Sequence, residues 1–301
     1  MIVSASYRTD IPAFYGTWFL NRLDAGHCRV INPYGGPAYR VPLDREAVDG
    51  FVFWTKNAGP FLGALDEVAR RGYPFVLHYT ITGYPRALET SVIDADRAIA
   101  QLRRIAGRFG RRSVVWRYDP VLLTSATDAA WHRETFARLA AAIAGSADEV
   151  VVSFAHIYAK TRVNLTALSR RTGLAWRDPE TAEKRALIAD LAAIAADHGL
   201  RLTICAQREL QVEGSEAARC IDAARLSDLA GRSIAAKRRG NRPDCACAVS
   251  RDIGAYDTCP HGCIYCYAVR NRGIARRRFG AHDPTGEFLF TPETPRSSQK
   301  Q

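Results

Sequence analysis

Phe51-Val52-Phe53-Trp54, followed at once by Thr55-Lys56-Asn57, is an apolar run that breaks off at polar residues. A strand with no polar face is covered on both sides, as the strands of parallel sheets are. The same unit recurs around it. Upstream, Ile2 to Ser6 gives way to Tyr7-Arg8-Thr9-Asp10. Downstream, Phe75 to Ile81 runs into Thr82-Gly83-Tyr84-Pro85, and Ser113 to Trp116 into Arg117-Tyr118-Asp119-Pro120. Glu149 to Phe154 is followed by His156, Tyr158 and Lys160, and Leu200 to Cys205 by Gln207.

Helical patterns separate these runs. Phe14, Trp18, Phe19 and Leu23 repeat at helical spacing within 12–26, and Gly26 ends that helix. Further helices are predicted over 60–71, with Pro60 near the first position, and over 91–109, with Ile93, Ala98, Leu102 and Ile105 as the apolar stripe. Two more cover 128–144, N-capped by Asp128, and 179–198, stopped by Gly199. Pro33, Gly35, Gly36 and Pro37 between β-prone runs predict a hairpin-like insertion within 28–42. Six strands alternating with helices specify an α/β fold with a parallel sheet, which right-handed crossovers curl into a barrel or wind doubly. Polar residues gather at the strands' C-terminal ends: Arg8 and Asp10, Lys56 and Asn57, His78 and Thr82, Arg117 and Asp119, His156 and Lys160, Cys205 and Gln207. In a barrel those ends share one rim, where active sites form. His78 has a second reading, as a hydrogen-bonded core histidine.

The chain of 301 residues, 47% hydrophobic and 24% charged, is long enough for one large α/β domain or two small ones. No apolar run reaches the roughly 18 residues of a membrane span. Nor is there a basic N-terminal region followed by an apolar stretch, so a cytoplasmic protein with no membrane partner is expected. Eight cysteines in such a chain point to metal or redox chemistry rather than disulfides. Cys28 stands alone and reads as structural; the others crowd the last third.

Cys259-Pro260-His261-Gly262-Cys263-Ile264-Tyr265-Cys266-Tyr267 is the sharpest motif. Its C-x3-C-x2-C spacing puts three thiolates on one tight loop, enough for three corners of a four-iron cluster with the fourth iron open. Proline stiffens the turn, and glycine lets the backbone wrap a bulky inorganic group. Zinc is the alternative, with His261 or another cysteine as fourth ligand.

The spacing and the aromatic before the last cysteine resemble the cluster motif of the radical S-adenosylmethionine (SAM) superfamily. Asp252-Ile253-Gly254-Ala255-Tyr256-Asp257-Thr258 before the loop, and Tyr267-Ala268 after it, resemble an uncharacterised domain-of-unknown-function family with a C-terminal cysteine cluster. The nearest functional relatives by motif are similar to spore photoproduct lyase-like proteins. In most superfamily members the loop follows the first barrel strand, whereas here it follows the last. No glycine-rich SAM-binding pattern follows the second strand.

The resemblance implies a partial (β/α)6 TIM-like barrel over 1–210, a cysteine-rich extension over 211–290 packing on the barrel rim, and a disordered tail over 291–301. It implies a [4Fe-4S] cluster on Cys259, Cys263 and Cys266, SAM as cofactor, and a flavodoxin- or ferredoxin-type electron donor. The expected chemistry is reductive cleavage of SAM to start radical chemistry on an unidentified substrate, anionic or nucleic acid. Lys56, Arg117, Asp119 and His156 are the candidate catalytic set. Lys56 and Arg117 would pair with a carboxylate, or else with Asp119 or Asp10. Tyr265 and Asn57 are candidate cofactor contacts, the first by stacking and the second at a ribose.

Cys205, Cys220, Cys245 and Cys247 form a candidate second site for an iron–sulfur cluster or zinc, or are unrelated buried thiols. The net charge of +11 is concentrated in Lys237-Arg238-Arg239 with Arg242 and in Arg270, Arg272, Arg276, Arg277 and Arg278. These are either solvated faces or a nucleic-acid surface. A non-enzymatic metal-braced binding module is therefore the alternative to the enzyme.

Overall fold

A computed structural model describes residues 1–33, 35–240 and 242–291. The tail expected over 291–301 lies outside the described residues from position 292 onward. β1 (Ile2–Ala5) is followed by α1 (Ile11–Phe14), α2 (Gly16–Asp24), the antiparallel hairpin of β2 (His27–Val30) and β3 (Tyr39–Pro42), and β4 (Gly50–Thr55). Next come α3 (Leu62–Arg70), β5 (Phe75–Thr80), α4 (Ala95–Phe109), β6 (Val114–Val121), β7 (Leu123–Thr124), α5 (Ala129–Ile143) and β8 (Glu149–Phe154). The chain continues through α6 (Ala159–Thr172), β9 (Trp176–Arg177), α7 (Thr181–Asp197), β10 (Arg201–Ile204), β11 (Ser215–Ala217), α8 (Ala223–Ala230), β12 (Ser250–Asp252) and α9 (Arg272–Gly280).

One sheet organises the molecule: eight parallel strands in the order β11-β10-β8-β6-β5-β4-β1-β12, flanked by helices. The runs read from the sequence supply β1, β4, β5, β6, β8 and β10. The two further strands are the sheet's edges. β11 and β12 are three residues each and largely polar, Ser-Glu-Ala and Ser-Arg-Asp, so they leave no apolar run to recognise.

Alternate residues of each strand enter two separate cores. Phe51, Phe53, Leu77, Trp116, Val150 and Ile204 face the layer of Trp18, Phe19, Leu65, Leu102, Phe136 and Leu191 from the helices. Ile2, Val52, Val76, Val115 and Val151 face the other way, against Ile221, Leu226, Ile234, Cys247 and Ala248. Each such fully buried side chain contributes about 1.5–3 kcal/mol. The segment between β11 and β12 therefore covers the face that the earlier helices leave open.

Local chemistry explains where the boundaries fall. Asp128 caps α5 by accepting from the Trp131 N–H at 2.8 Å, as its sequence position predicts. The single helix expected over 12–26 is divided at Tyr15. Asp10 caps the first piece through the Ala13 N–H at 2.9 Å, and the Tyr15 hydroxyl donates to the Thr258 carbonyl at 2.6 Å. α6 was not legible because it buries only Thr161, Leu165 and Leu168 and exposes Val163, which leaves no apolar stripe.

Candidate functional site

The approach to the cysteine loop is fixed by one carboxylate. Asp252 ends β12 and pairs in register with Ser4 of β1. Its oxygens accept from Ser4 Oγ (2.9 Å), Ser6 Oγ (2.7 Å), the Tyr7 N–H (3.0 Å), Arg8 Nε (2.8 Å) and the Gly254 N–H (2.9 Å). Gly254 has no alternative here: a Cβ would stand 2.0 Å from Ser6 Oγ. The lead-in motif is thus a clamp between the first and last strands of the sheet.

The loop then lies across the segment after β5. The Ser91 N–H donates to the His261 carbonyl at 2.9 Å, the Ile264 N–H to the Leu88 carbonyl at 3.0 Å, and Cys263 bridges Glu89 in antiparallel fashion. His261 is buried with its Nε2 at 2.8 Å from Asp10, and its Nδ1 faces the Ser91 carbonyl at 3.4 Å. Asp10 also accepts the Lys56 N–H at 2.7 Å, joining β1, β4 and the loop at one point.

Cys259, Cys263 and Cys266 are half-buried and each lies within electrostatic reach of another. Burial pushes all three thiols up; Asp10 adds to this at Cys259, and Lys56 opposes it at Cys263. Backbone donors meet two of the sulfurs: the His261 N–H at Cys259, and the Ala268 and Val269 N–H groups at Cys266. Such donors stabilise thiolate.

Lys56 meets the loop through a carboxylate that sequence reasoning missed. Its Nζ is 2.8 Å from Glu89, which also accepts from Thr82 Oγ1 at 2.8 Å and from the Tyr265 hydroxyl. The Lys56 ammonium lies 5.8 Å from the Tyr265 ring centroid. Burial works against both charges, but the pairing, joined by Cys263 and Asp119 at Lys56 and by Tyr265 and Thr82 at Glu89, outweighs it, so the ammonium is held above its ordinary range and the carboxyl below. Glu89 follows no apolar run, so only its place as the carboxylate in a polar stretch after β5 could have flagged it. A cavity of about 130 Å³ adjoins the pair, with Thr82, Tyr84, Arg86 and Arg138 on its walls.

Arg117 and Asp119 form a bidentate pair, Nε to Oδ1 at 2.9 Å, with both groups largely buried. Arg117 Nη1 also donates to Cys220 Sγ at 3.1 Å, and its guanidinium stacks 5.0 Å over Trp54. Of the two readings for His78, the structure gives the core one: it is buried, stacked on Trp54 at 4.4 Å, with Nε2 on the Cys220 carbonyl at 2.7 Å. Asn57 turns its side chain inward to accept the Gly59 N–H at 3.2 Å, capping a short turn. His156 is exposed beside Tyr158, away from the Lys56–Glu89 pair's hydrogen bonds.

The later cysteines come together. Cys220 Sγ is 3.7 Å from Cys205 Sγ, Cys220 contacts Cys247, and Cys247 contacts Cys245. Cys28 is buried in the larger core, as its structural reading requires. Several of the clustered arginines are engaged: Arg270 with Asp257 at 2.8 Å, Arg278 with the Tyr256 carbonyl at 2.9 Å, Arg272 with Ser91. Lys237, Arg238, Arg239, Arg276 and Arg277 are exposed. Among the described residues, no helix is long and apolar enough to cross a membrane. Nor do three His, Cys, Asp or Glu side chains among them stand as a group that could hold a metal ion in their present positions.

A family described as a domain of unknown function, DUF1848, matches residues 2–268. No curated protein and no solved structure matches the chain.

Proposed function

Because the chain belongs to the DUF1848 family, whose description names no activity, we propose a function from the site itself: a radical SAM-type [4Fe-4S] enzyme. The observation that carries this reading is the seating of Cys259, Cys263 and Cys266, on one loop at the C-terminal end of β12, against Asp10, Lys56 and Glu89. Three thiols on one loop, with backbone N–H donors at Cys259 and Cys266 and the Lys56 ammonium near Cys263, suit a cluster with one open iron. His261, a candidate fourth ligand for zinc at this loop alongside another cysteine, already has a partner near each ring nitrogen.

The late position of the loop in the chain loses its force in space. β12 is last in sequence but lies at the sheet edge beside β1, so reading across the sheet the order is β12, β1, β4, β5, β6, β8, β10. The loop thus follows the spatially first strand, where the resembled superfamily carries it. The remaining strands are sequential, and most helices share one face with them. That winding supports a partial barrel over a doubly wound sheet, in which helices cover both faces.

When bound, the reduced cluster supplies the electron that cleaves SAM and starts radical chemistry; a flavodoxin- or ferredoxin-type donor would renew it. The chain's own residues hold the loop. Lys56 neutralises Glu89, and Glu89 anchors Tyr265 between the second and third cysteines. Lys56 is therefore a positioning residue. Arg117 is likewise occupied by Asp119, so a substrate anion would have to compete with that pair. The substrate class stays with the sequence reading, anionic or nucleic acid, and the exposed Lys237, Arg238, Arg239, Arg276 and Arg277 are the observation behind the second reading, a metal-braced nucleic-acid-binding module.

Anaerobic purification with iron and sulfide analysis, and EPR with and without SAM, tests the enzyme reading. About four irons on this loop and a spectrum altered by SAM are expected. Cys263→Ala should abolish both with the far-UV circular dichroism unchanged. Protein that cannot be reconstituted to a SAM-responsive cluster, yet binds DNA or RNA with strong salt dependence, would replace it with the module.

A further inference from the structure

The four late cysteines lie apart from the loop and converge from three elements. Cys205 follows β10, Cys220 follows β11, and Cys245 and Cys247 lie on the approach to β12. β11 and β12 are opposite edges of the sheet, so these thiols connect the two edges across the face covered by Ile221, Leu226 and Ile234. Cys205, Cys220 and Cys247 are buried and Cys245 is half-buried.

We propose that Cys205, Cys220, Cys245 and Cys247 form a structural tetrathiolate site for a single divalent zinc ion. The spacing favours one metal over a cluster. A tetrahedron with its centre about 2.3 Å from each sulfur has edges of about 3.8 Å, and Cys205 Sγ to Cys220 Sγ is 3.7 Å. A four-iron cube binds each cysteine through a different iron, with the thiolates pointing outward, and spreads its sulfurs wider. The remaining neighbours run as a chain from Cys220 to Cys247 to Cys245, which sets the four side chains beside one another, and binding requires their rotation towards a common centre.

The surroundings suit thiolates. Four thiolates and Zn²⁺ carry a net charge of −2. Arg117 donates to Cys220 Sγ at 3.1 Å, Arg242 to Cys205 Sγ at 3.7 Å, and the Ile221 N–H to Cys247 Sγ at 3.4 Å. These are the outer donors that orient metal ligands and offset their charge. Closing the site releases the thiol protons and fastens the segment between β11 and β12 to the sheet.

The test uses the full chain carrying Cys263→Ala, which removes metal binding at the loop from the readout. Purified anaerobically, it should retain about one zinc per chain. Replacement by Co²⁺ should give the thiolate charge-transfer and d–d bands of a tetrahedral four-sulfur site. Cys220→Ser should lose both metals, and zinc should protect four thiols of the Cys220-containing protein from a thiol reagent, which does not depend on how the variant folds. Iron with sulfide at this site would overturn the proposal. So would metal-free protein that takes up no Co²⁺ and gives a Cys205–Cys220 disulfide on mild oxidation. Neither result bears on whether the loop binds its own cluster.

Discussion

Replacing Lys56 with methionine keeps an unbranched apolar stem, one atom shorter, and removes the charge, leaving Glu89 buried with Thr82 and Tyr265 as partners. At the 2.8 Å separation of the pair, with an effective dielectric of about 20, the direct attraction is about 6 kcal/mol. Desolvation offsets much of that, and breaking one side of a buried pair costs about 3–5 kcal/mol. Because two hydroxyls still donate to Glu89, the expected loss lies at the low end, about 3 kcal/mol at pH 7. Glu89 is held below its ordinary range in the folded protein, so its pairing stabilises above the unfolded value near 4.3 and is lost as pH falls through the lower folded value. In Lys56→Met, burial acts unopposed by the ammonium and pushes the carboxyl up, so the gap between the proteins narrows as pH falls. Urea denaturation followed by both circular dichroism and tryptophan fluorescence measures this, with coincident transitions required before a free energy is taken. Adding Glu89→Gln keeps the Thr82 and Tyr265 contacts without a charge, so the double variant should recover at least half the loss. A cost below about 1 kcal/mol for Lys56→Met, or a double variant no better than the single, would refute the buried-pair account.

Asp252→Ala strips the carboxylate from five donors and leaves the buried Arg8 charge with only the residue 252 carbonyl, a loss of about 3–5 kcal/mol; a urea midpoint within error of wild type would contradict it. Gly254→Ala should cost about 1–3 kcal/mol by forcing Ser6 away from Asp252, visible as a lower thermal midpoint that Gly254→Ala/Ser6→Gly partly restores. His132 is fully buried between the Tyr118 hydroxyl and the Leu122 carbonyl, and burial pushes its pKa down to about 4. The unfolded chain then binds the extra proton first, so about 3 kcal/mol of stability is lost between pH 6.5 and 4. His132→Gln should flatten that part of the stability–pH curve, and an unchanged slope would show that His132 does not carry it.

The alternation of doubly covered strands and helices was legible because burial on both faces forces continuous apolar runs such as Phe51-Val52-Phe53-Trp54. The cysteine loop was legible because its ligand residues are adjacent in sequence. What escaped is what neighbours in space but not along the chain decide. β11 and β12 form because a finished edge strand offers them hydrogen bonds, which no run of three polar residues advertises. Glu89 gains its role from Lys56 and Tyr265, which come from distant parts of the chain. Asn57, placed correctly at a strand end, spends its carboxamide oxygen on a turn. Position at the rim selects candidates, and the partners of each side chain decide among them.

Those partners also place Arg117 and Asp119 between the two groups of cysteines. Asp119 lies within electrostatic reach of Lys56, beside the loop, and of Cys205. Arg117 bonds both Asp119 and Cys220, and its charge acts on Cys205 as well. A metal on the four late thiols would have Arg117 as its closer guanidinium, at 3.1 Å from Cys220 Sγ against 3.7 Å from Arg242 to Cys205 Sγ, and a change there would reach Lys56 through Asp119. Arg117→Lys keeps the charge but gives up the fork that serves a carboxylate and a sulfur together. It should therefore weaken metal retention at the late cysteines more than cluster assembly at Cys259, Cys263 and Cys266, whereas Lys56→Met should do the reverse. Parallel zinc and iron contents for the two variants measure this directly, and equal losses at both sites would mean that the two groups of cysteines form one cooperative unit rather than two.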